Sequence, residues 1–222
     1  MQKIWAEVDR YLGDLLAPAD AGLAKALEAN EKAGLPSIDV PPLLGKFLDL
    51  MVRISGARRV LEIGTLGGYS TIWMARAVPD GGRVITLELE PRHAEVARTN
   101  LEAAGVLGRV EILVGVASES LQTMHEGGEQ PFDLIFIDAD KERMPEYLEW
   151  SMKLARPGTV IIADNVVRDG EVVNPETEDP QVTGVRRFLE MVAADPRLSA
   201  TAMPTVGARG FDGFAIAVVS GI

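Results

Sequence analysis

The stretch Val60-Leu61-Glu62-Ile63-Gly64-Thr65-Leu66-Gly67-Gly68-Tyr69-Ser70 decides the architecture. A short apolar run passes into closely spaced glycines, which let the backbone turn tightly and approach a ligand, and Ser70 is suited to cap the helix that follows. Working outward, further apolar runs begin at Val84, Val110, Leu134 and Val160, 24 to 26 residues apart. One strand and one crossover helix fill each step, which is the alternation that builds a parallel sheet from βαβ units. The five runs, 60–63, 84–87, 110–114, 134–137 and 160–162, lack strict alternation, as strands buried on both faces do.

Upstream of Gly56 the periodicity is helical. Ile4, Val8, Tyr11, Leu12 and Leu15 share one face, Asp20 caps a second helix that stops at Ala33-Gly34, and 35–40 reads as a loop. Pro41-Pro42 opens a third helix with Leu44, Phe47, Leu48, Met51 and Ile54 on its stripe. Downstream, a polar loop over 174–181 precedes a helix bearing Val185, Phe188, Leu189 and Val192. Two strands follow, over 198–203 and 213–219. The nine-residue Gly-rich connection between them is too short for a crossover helix, so this pair is antiparallel. The expectation is one α/β domain over residues 1–222. It is a doubly wound, seven-stranded, mostly parallel sheet (57–222) with an antiparallel last strand and an N-terminal helical extension (1–56).

Composition narrows the function. The 33 acidic and 22 basic residues give a net charge of −11, which disfavours nucleic acid as a partner. No cysteine is present, which removes disulfides and thiolate chemistry and fits a cytoplasmic protein. The longest apolar runs, such as Phe214 to Val219, have six residues, far short of a membrane span, and 1–18 lacks the pattern of a secretory signal.

In an open α/β sheet the ligand lies beyond the carboxyl ends of the strands. Gly64, Gly67 and Gly68 do not match the dinucleotide fingerprint, and a glycine turn is also simply a tight connection. Glu88, 24 residues after Gly64 at the end of the second run, is placed to accept ribose hydroxyls, although it also reads as a solvated strand end. With Glu62 one strand away, a diphosphate would be repelled and a cationic, phosphate-free nucleoside favoured. S-adenosylmethionine fits that description. The fourth run ends in Asp138 and the fifth in Asp164-Asn165, hard oxygen donors suited to Mg²⁺, Ca²⁺ or Mn²⁺. Strand-end Asp and Asn also cap turns, but an Asp-Asn pair directly after a buried strand leaves groups needing partners. Lys141, three residues past Asp138, reads either as a surface lysine paired with Glu142 or as a base beside the metal. His93 and His125 read as surface residues of crossover helices.

These stretches (62–70, 86–90, 132–141 and 158–166, with an echo at Asp212-Gly213-Phe214) together resemble the cation-dependent O-methyltransferases of the catechol and caffeoyl-coenzyme A type, over about residues 35 to 222. The resemblance implies a class I methyltransferase sheet. It also implies S-adenosylmethionine contacts from Val40, Glu62, Gly64, Ser70, Glu88, Ser118 and Asp138. Asp138, Asp164 and Asn165 become metal ligands, Lys141 the catalytic base beside Asp138, and Asp140 and Tyr147 neighbours of the site. A small phenolic substrate and a homodimer are implied as well, the latter through the N-terminal helices or the final strands. Ile38, Val40, Met144 and the 168–180 loop are expected to wall the substrate. Met144 stands where relatives often have Tyr or Asn, and Arg209-Gly210-Phe211 where Lys-Gly-Trp is frequent. No carboxylate near Val206 matches the one that clamps a second hydroxyl in the mammalian catechol enzyme. Two competing readings are a nicotinamide-dependent oxidoreductase, which would lack the glycine fingerprint and a Tyr-x-x-x-Lys donor, and a catalytically silent cofactor-binding protein.

Overall fold

In a computed structural model that describes residues 2–221, the chain forms the expected sheet, ordered β3-β2-β1-β4-β5-β7-β6. Its parallel strands are β1 (Arg59–Ile63), β2 (Arg83–Glu88), β3 (Val110–Val114), β4 (Leu134–Ile137) and β5 (Val160–Asp164). Crossover helices α4 (Tyr69–Ala77), α5 (Pro91–Ala103), α6 (Ala117–Glu126) and α7 (Met144–Leu154) join them, and α8 (Pro180–Ala194) follows β5. β6 (Leu198–Gly207) and β7 (Gly210–Val219) close the sheet, and β7 runs antiparallel to both β5 and β6. The extension is α1 (Gln2–Leu16), α2 (Ala21–Lys32) and α3 (Pro42–Ser55).

Both faces are covered, so the sheet is doubly wound. One core packs Ile135, Ile161 and Leu61 against Leu148, Val185 and Phe188, and the other packs Val60, Leu134 and Ile162 against Leu48, Trp73 and Leu101. The strand order reverses between β1 and β4, and that gap is the point where ligands enter folds of this kind.

Two local expectations need correction. The final strands are longer than expected and pair through Gly207 and Gly210, so the connection is only Ala208-Arg209. Pro204 is tolerated because β6 is an edge strand, and Gly213 is required because a Cβ there would lie 2.4 Å from the Met203 carbonyl. Residues that read as loop are therefore strand. β3 is the other edge, with Glu111 and Val114 exposed, and is not buried on both faces. None of the residues of α1 is buried.

Buried polar groups fix the carboxyl edge. Asn100 of α5 donates through Nδ2 to the Gly67 carbonyl (2.8 Å) and to Asn30 Oδ1 (2.9 Å), and Asn30 Nδ2 donates to Asp39 Oδ1 (2.8 Å). Both asparagines are buried, and a Cβ on Gly67 would overlap the Asn30 amide. The glycine turn is thus tied to the α2–α3 connection. Glu62 of β1 is fully buried. One oxygen accepts from Ser70 Oγ (2.5 Å), the other from Thr71 Oγ1 (2.5 Å) and Thr86 Oγ1 (2.6 Å). Burial pushes its carboxyl up to about 7 even though the three hydroxyls pull it down, and the nearby Asp138 charge adds to the rise.

Replacing Asn100 with Ala strands two buried acceptors and is expected to cost about 2 kcal/mol or more. For a chain of this size that is a Tm lower by at least about 4 °C in calorimetry; a change below about 1 °C would show that the relay carries no load. Because folding raises the Glu62 pKa above its ordinary value of 4.5, the stability contributed by its proton is complete below that pH. It is lost as pH rises through about 7. Glu62→Gln carries no titrating proton, so the Tm of wild type relative to this variant is expected to fall across that window and level off above it. A pH-independent difference contradicts the assignment.

Candidate active site

Parallel register sets the geometry. Ile63 of β1 pairs with Ile137 of β4, and Ile137 with Ala163 of β5, so Gly64, Asp138 and Asp164 stand at the same rank on three adjacent strands. Gly64 has φ +104°, and a Cβ there would lie 2.2 Å from the Asp138 carbonyl, so only glycine lets these two strand ends close up. Asp138 in turn donates its backbone N–H to the Ile63 carbonyl (2.8 Å).

Asp138 Oδ1 accepts from Lys141 Nζ at 2.7 Å. Lys141 is only 5% exposed and belongs to a 3₁₀ turn (Lys141–Arg143), so it is not a surface lysine paired with Glu142. α8 presses this turn into place, since a Cβ on Gly184 would lie 2.3 Å from the Lys141 carbonyl. Asp164 is 7% exposed, and burial followed by the Asp138 charge pushes its carboxyl up, against the pull of Lys141. Asn165 adopts left-handed backbone (φ +58°), a conformation Asn tolerates better than most residues, and this turns the chain directly after Asp164. Asp212 of β7 anchors the turn: its Oδ1 accepts from the backbone N–H of Val167 (3.0 Å), Arg168 (3.1 Å) and Gly213 (3.0 Å). Asp138 and Asp164 therefore share a single ammonium, the first through a hydrogen bond and the second through its charge. Among the described residues no group of three His, Asp or Glu gathers as a metal set; the donors here are two acids and Asn165.

On the other side of the switch point, Glu88 Oε2 accepts from Leu66 N (2.7 Å) and Thr65 N (3.2 Å), and Oε1 from Glu90 N (2.9 Å). Glu88 thus holds the glycine turn in place, Leu66 included, whose φ is +49°. His93 is half-buried with Nδ1 3.3 Å from Glu88 Oε1, so it is not the free surface residue expected, whereas His125 is exposed beside Trp150. Ser70 and Glu62 bond one another beneath the turn, and Ser118 lies half-buried in the first turn of α6, beyond β3. The turn from Glu62 to Ser70 carries no Lys or Arg to neutralise a diphosphate, and three acids stand around it, which fits a cationic nucleoside.

A cavity of about 330 Å³ opens onto Asp164 and Asn165. Its apolar wall comes from Ile38, Val40, Leu43, Leu44, Phe47 and Phe214, its far side from the β6–β7 hairpin. Ile38 and Val40 line it as expected. Met144 does not: it is fully buried in the core because it starts α7 beneath the Lys141 turn. The 168–180 loop does not line this cavity either. Asp140 and Tyr147 pair with each other through the phenol O–H (2.5 Å), next to the Lys141 turn. Sequence reading missed Asn30, Asn100, Asp39 and Gly184. A signal existed for the first: Asn30 continues the buried positions Leu23 and Ala26 of α2 at helical spacing, and a buried amide on an apolar stripe requires a partner.

A family model described as O-methyltransferase matches residues 18–215. A catechol O-methyltransferase of Niastella koreensis is 48% identical over 98% of both chains. One from Mycobacterium tuberculosis is 52% identical over 96% of this chain and 95% of the relative. Among solved structures, an O-methyltransferase from Bacillus cereus in complex with SAH superposes with a TM-score of 0.97 at 55% identity, covering 99% of this chain and 100% of the other. An O-methyltransferase from Streptomyces achromogenes in complex with SAM gives 0.96 at 47% identity over 99% of each. The nicotinamide reading finds no support in these likenesses. The chain belongs to the O-methyltransferase family and is an S-adenosylmethionine-dependent O-methyltransferase.

Proposed function

We propose that the chain methylates one hydroxyl of a small vicinal dihydroxy phenol with the help of a divalent cation, Mg²⁺ for preference. The observation that carries this reading is the pairing of Asp138 and Asp164 on adjacent strand ends with only one buried ammonium, Lys141, between them. Two acids in this largely buried site cannot both stay ionised on the positive charge of one lysine, and Asn165 adds a neutral oxygen of the kind that Mg²⁺ and Ca²⁺ accept. Two relatives near 50% identity are catechol O-methyltransferases.

In this reading Asp138, Asp164 and Asn165 hold the metal, which when bound lowers the cost of an ionised phenol oxygen by acting as a Lewis acid. Val40, Glu62, Gly64, Ser70, Glu88, Ser118 and Asp138 hold S-adenosylmethionine, which supplies a methyl group on a sulfonium. With a dication supplying the positive charge between the two acids, Lys141 would stand as the neutral amine and take the proton of the phenol at Nζ, and its contact with Asp138 fixes where that nitrogen sits. The apolar wall from Ile38 to Phe47 excludes water and orients the ring. Alignment of this kind is worth effective molarities of about 10⁵ M or more.

We infer that the working form is a homodimer joined through α1. Its apolar face leaves Ile4, Val8, Tyr11 and Leu15 between 48% and 65% exposed, side by side along one helix. A contiguous patch of that sort marks a covered surface.

With a catechol substrate, excess EDTA is expected to abolish turnover and Mg²⁺ to restore it. Lys141→Ala is expected to lower kcat by about 10²-fold or more. Full activity in chelator sinks the metal role. For the dimer, light scattering on wild type should give twice the chain mass and the Tyr11→Glu/Leu15→Glu variant the single mass, with unchanged circular dichroism. A monomeric wild type at micromolar concentration overturns the inference.

A further inference from the structure

The cavity beside Asp164 and Asn165 also contains charge that the proposed chemistry does not use. Four carboxylates and one guanidinium line it. Asp9 of α1 accepts the Ala208 N–H (3.2 Å), Asp39 accepts from Asn30 (2.8 Å), and Asp212 accepts three backbone amides. Asp164 belongs to the metal set. Arg209, at the tip of the β6–β7 hairpin, has neither an ion pair nor a hydrogen bond among the described residues. Only two other arginines share that condition, Arg10 and Arg98, and neither lines this cavity.

Arg209 is part of the cavity lining. Asp39, in the α2–α3 connection, lines the same cavity, and burial pushes its carboxyl up while the Asn30 hydrogen bond and the Arg209 charge pull the other way. Two independent fixtures hold the tip over the site. Asp9 clips the Ala208 amide, and Asp212 ties the base of the hairpin to the turn after Asn165. Arg209 lies five residues past Phe214, the strand partner of Asp164, which is about 17 Å of extended hairpin at about 3.4 Å per residue. One aromatic ring with its hydroxyls at Asp164, a short acidic substituent and an arginine reaching back span such a gap. Arg209 is the one cationic side chain that lines this cavity, and Thr205 is its neutral polar neighbour on the hairpin.

We propose that Arg209 is a specificity residue that selects vicinal dihydroxy aromatics carrying a carboxylate, which its planar N–H fork grips at the mouth of the cavity. This rests on the phenol reading above and narrows it from catechols in general to aromatic acids. Arginine suits the task because its fork matches a carboxylate in bidentate geometry, whereas a lysine offers a point charge. An amine-bearing catechol would meet the guanidinium head-on, but Asp9, Asp39 and Asp212 accept only amide N–H groups and keep their charge, so the amine is the competitor that the test includes.

The test compares 3,4-dihydroxybenzoate with its neutral isostere 3,4-dihydroxybenzamide, and with 3,4-dihydroxybenzylamine, on wild type, Arg209→Ala and Arg209→Lys with Mg²⁺ and S-adenosylmethionine. Wild type is expected to favour the acid over the amide by about tenfold or more in kcat/KM, the range of one charge-assisted contact. Arg209→Ala should bring that ratio near one through KM rather than kcat, and Arg209→Lys should fall between. Calorimetric titration of the acid onto protein loaded with S-adenosylhomocysteine should show the same loss of affinity in Arg209→Ala without any turnover. An acid-to-amide ratio equal in wild type and Arg209→Ala, or a wild-type preference for the amine, overturns the assignment. If the binding contrast is present but no substrate is methylated, Arg209 keeps its role and the phenol methylation reading fails instead.

Discussion

Everything at this site depends on register. Parallel pairing of β1 with β4 and of β4 with β5 leaves Gly64, Asp138 and Asp164 level with one another, and a slip of one residue would turn each side chain to the opposite face. The fit is close because Gly64 has no Cβ to hold the strand ends apart. Apolar residues that fill both faces of these central strands lock the register, so the hydrophobic core determines where the acids stand.

That arrangement concentrates negative charge. Glu62, Glu88, Asp138 and Asp164 stand at or within one residue of the ends of four strands, and each uses a different means to remain there. Glu62 is surrounded by hydroxyls, Glu88 by backbone amides, Asp138 has Lys141, and Asp164 is left with the least compensation. Buried acids of this sort cost stability unless ligands bring positive charge. A site poised in this way gains from binding a sulfonium, and from the dication proposed above, which ties ligand affinity to relief of repulsion within the protein itself.

The sheet and its acids were legible because parallel strands announce themselves: short apolar runs at a regular interval, each ending in a polar residue where the fold presents its ligands. The hairpin was not. Pro204, Gly207, Gly210 and Gly213 spell a loop by local propensity, and only the pairing partner, with a carbonyl 2.4 Å from any Cβ at Gly213, reveals a strand. Met144 was misplaced for a related reason. Its neighbours in sequence belong to the site, but the first turn of α7 points it into the core. Asn30, Asn100 and Gly184 act through contacts between elements far apart in the chain, and such contacts leave little trace in a local pattern.

Chemistry and selectivity thus arise from two parts of one sheet. The parallel strands supply the groups proposed to hold metal, cofactor and proton, while the antiparallel hairpin and α3 supply the wall and mouth. Asp212 joins the two parts, because one of its oxygens holds both its own strand and the amides just past Asn165. Side chains at the hairpin tip are free to vary in kind without disturbing the strand ends. The backbone beneath them is not, since any shift of β7 moves Asp212 and with it the turn that aims Asn165. Substrate choice in such a design would change by substitution at positions such as Arg209, and insertions or deletions in the hairpin carry a cost at Asp164 and Asn165, the ends proposed to hold the metal.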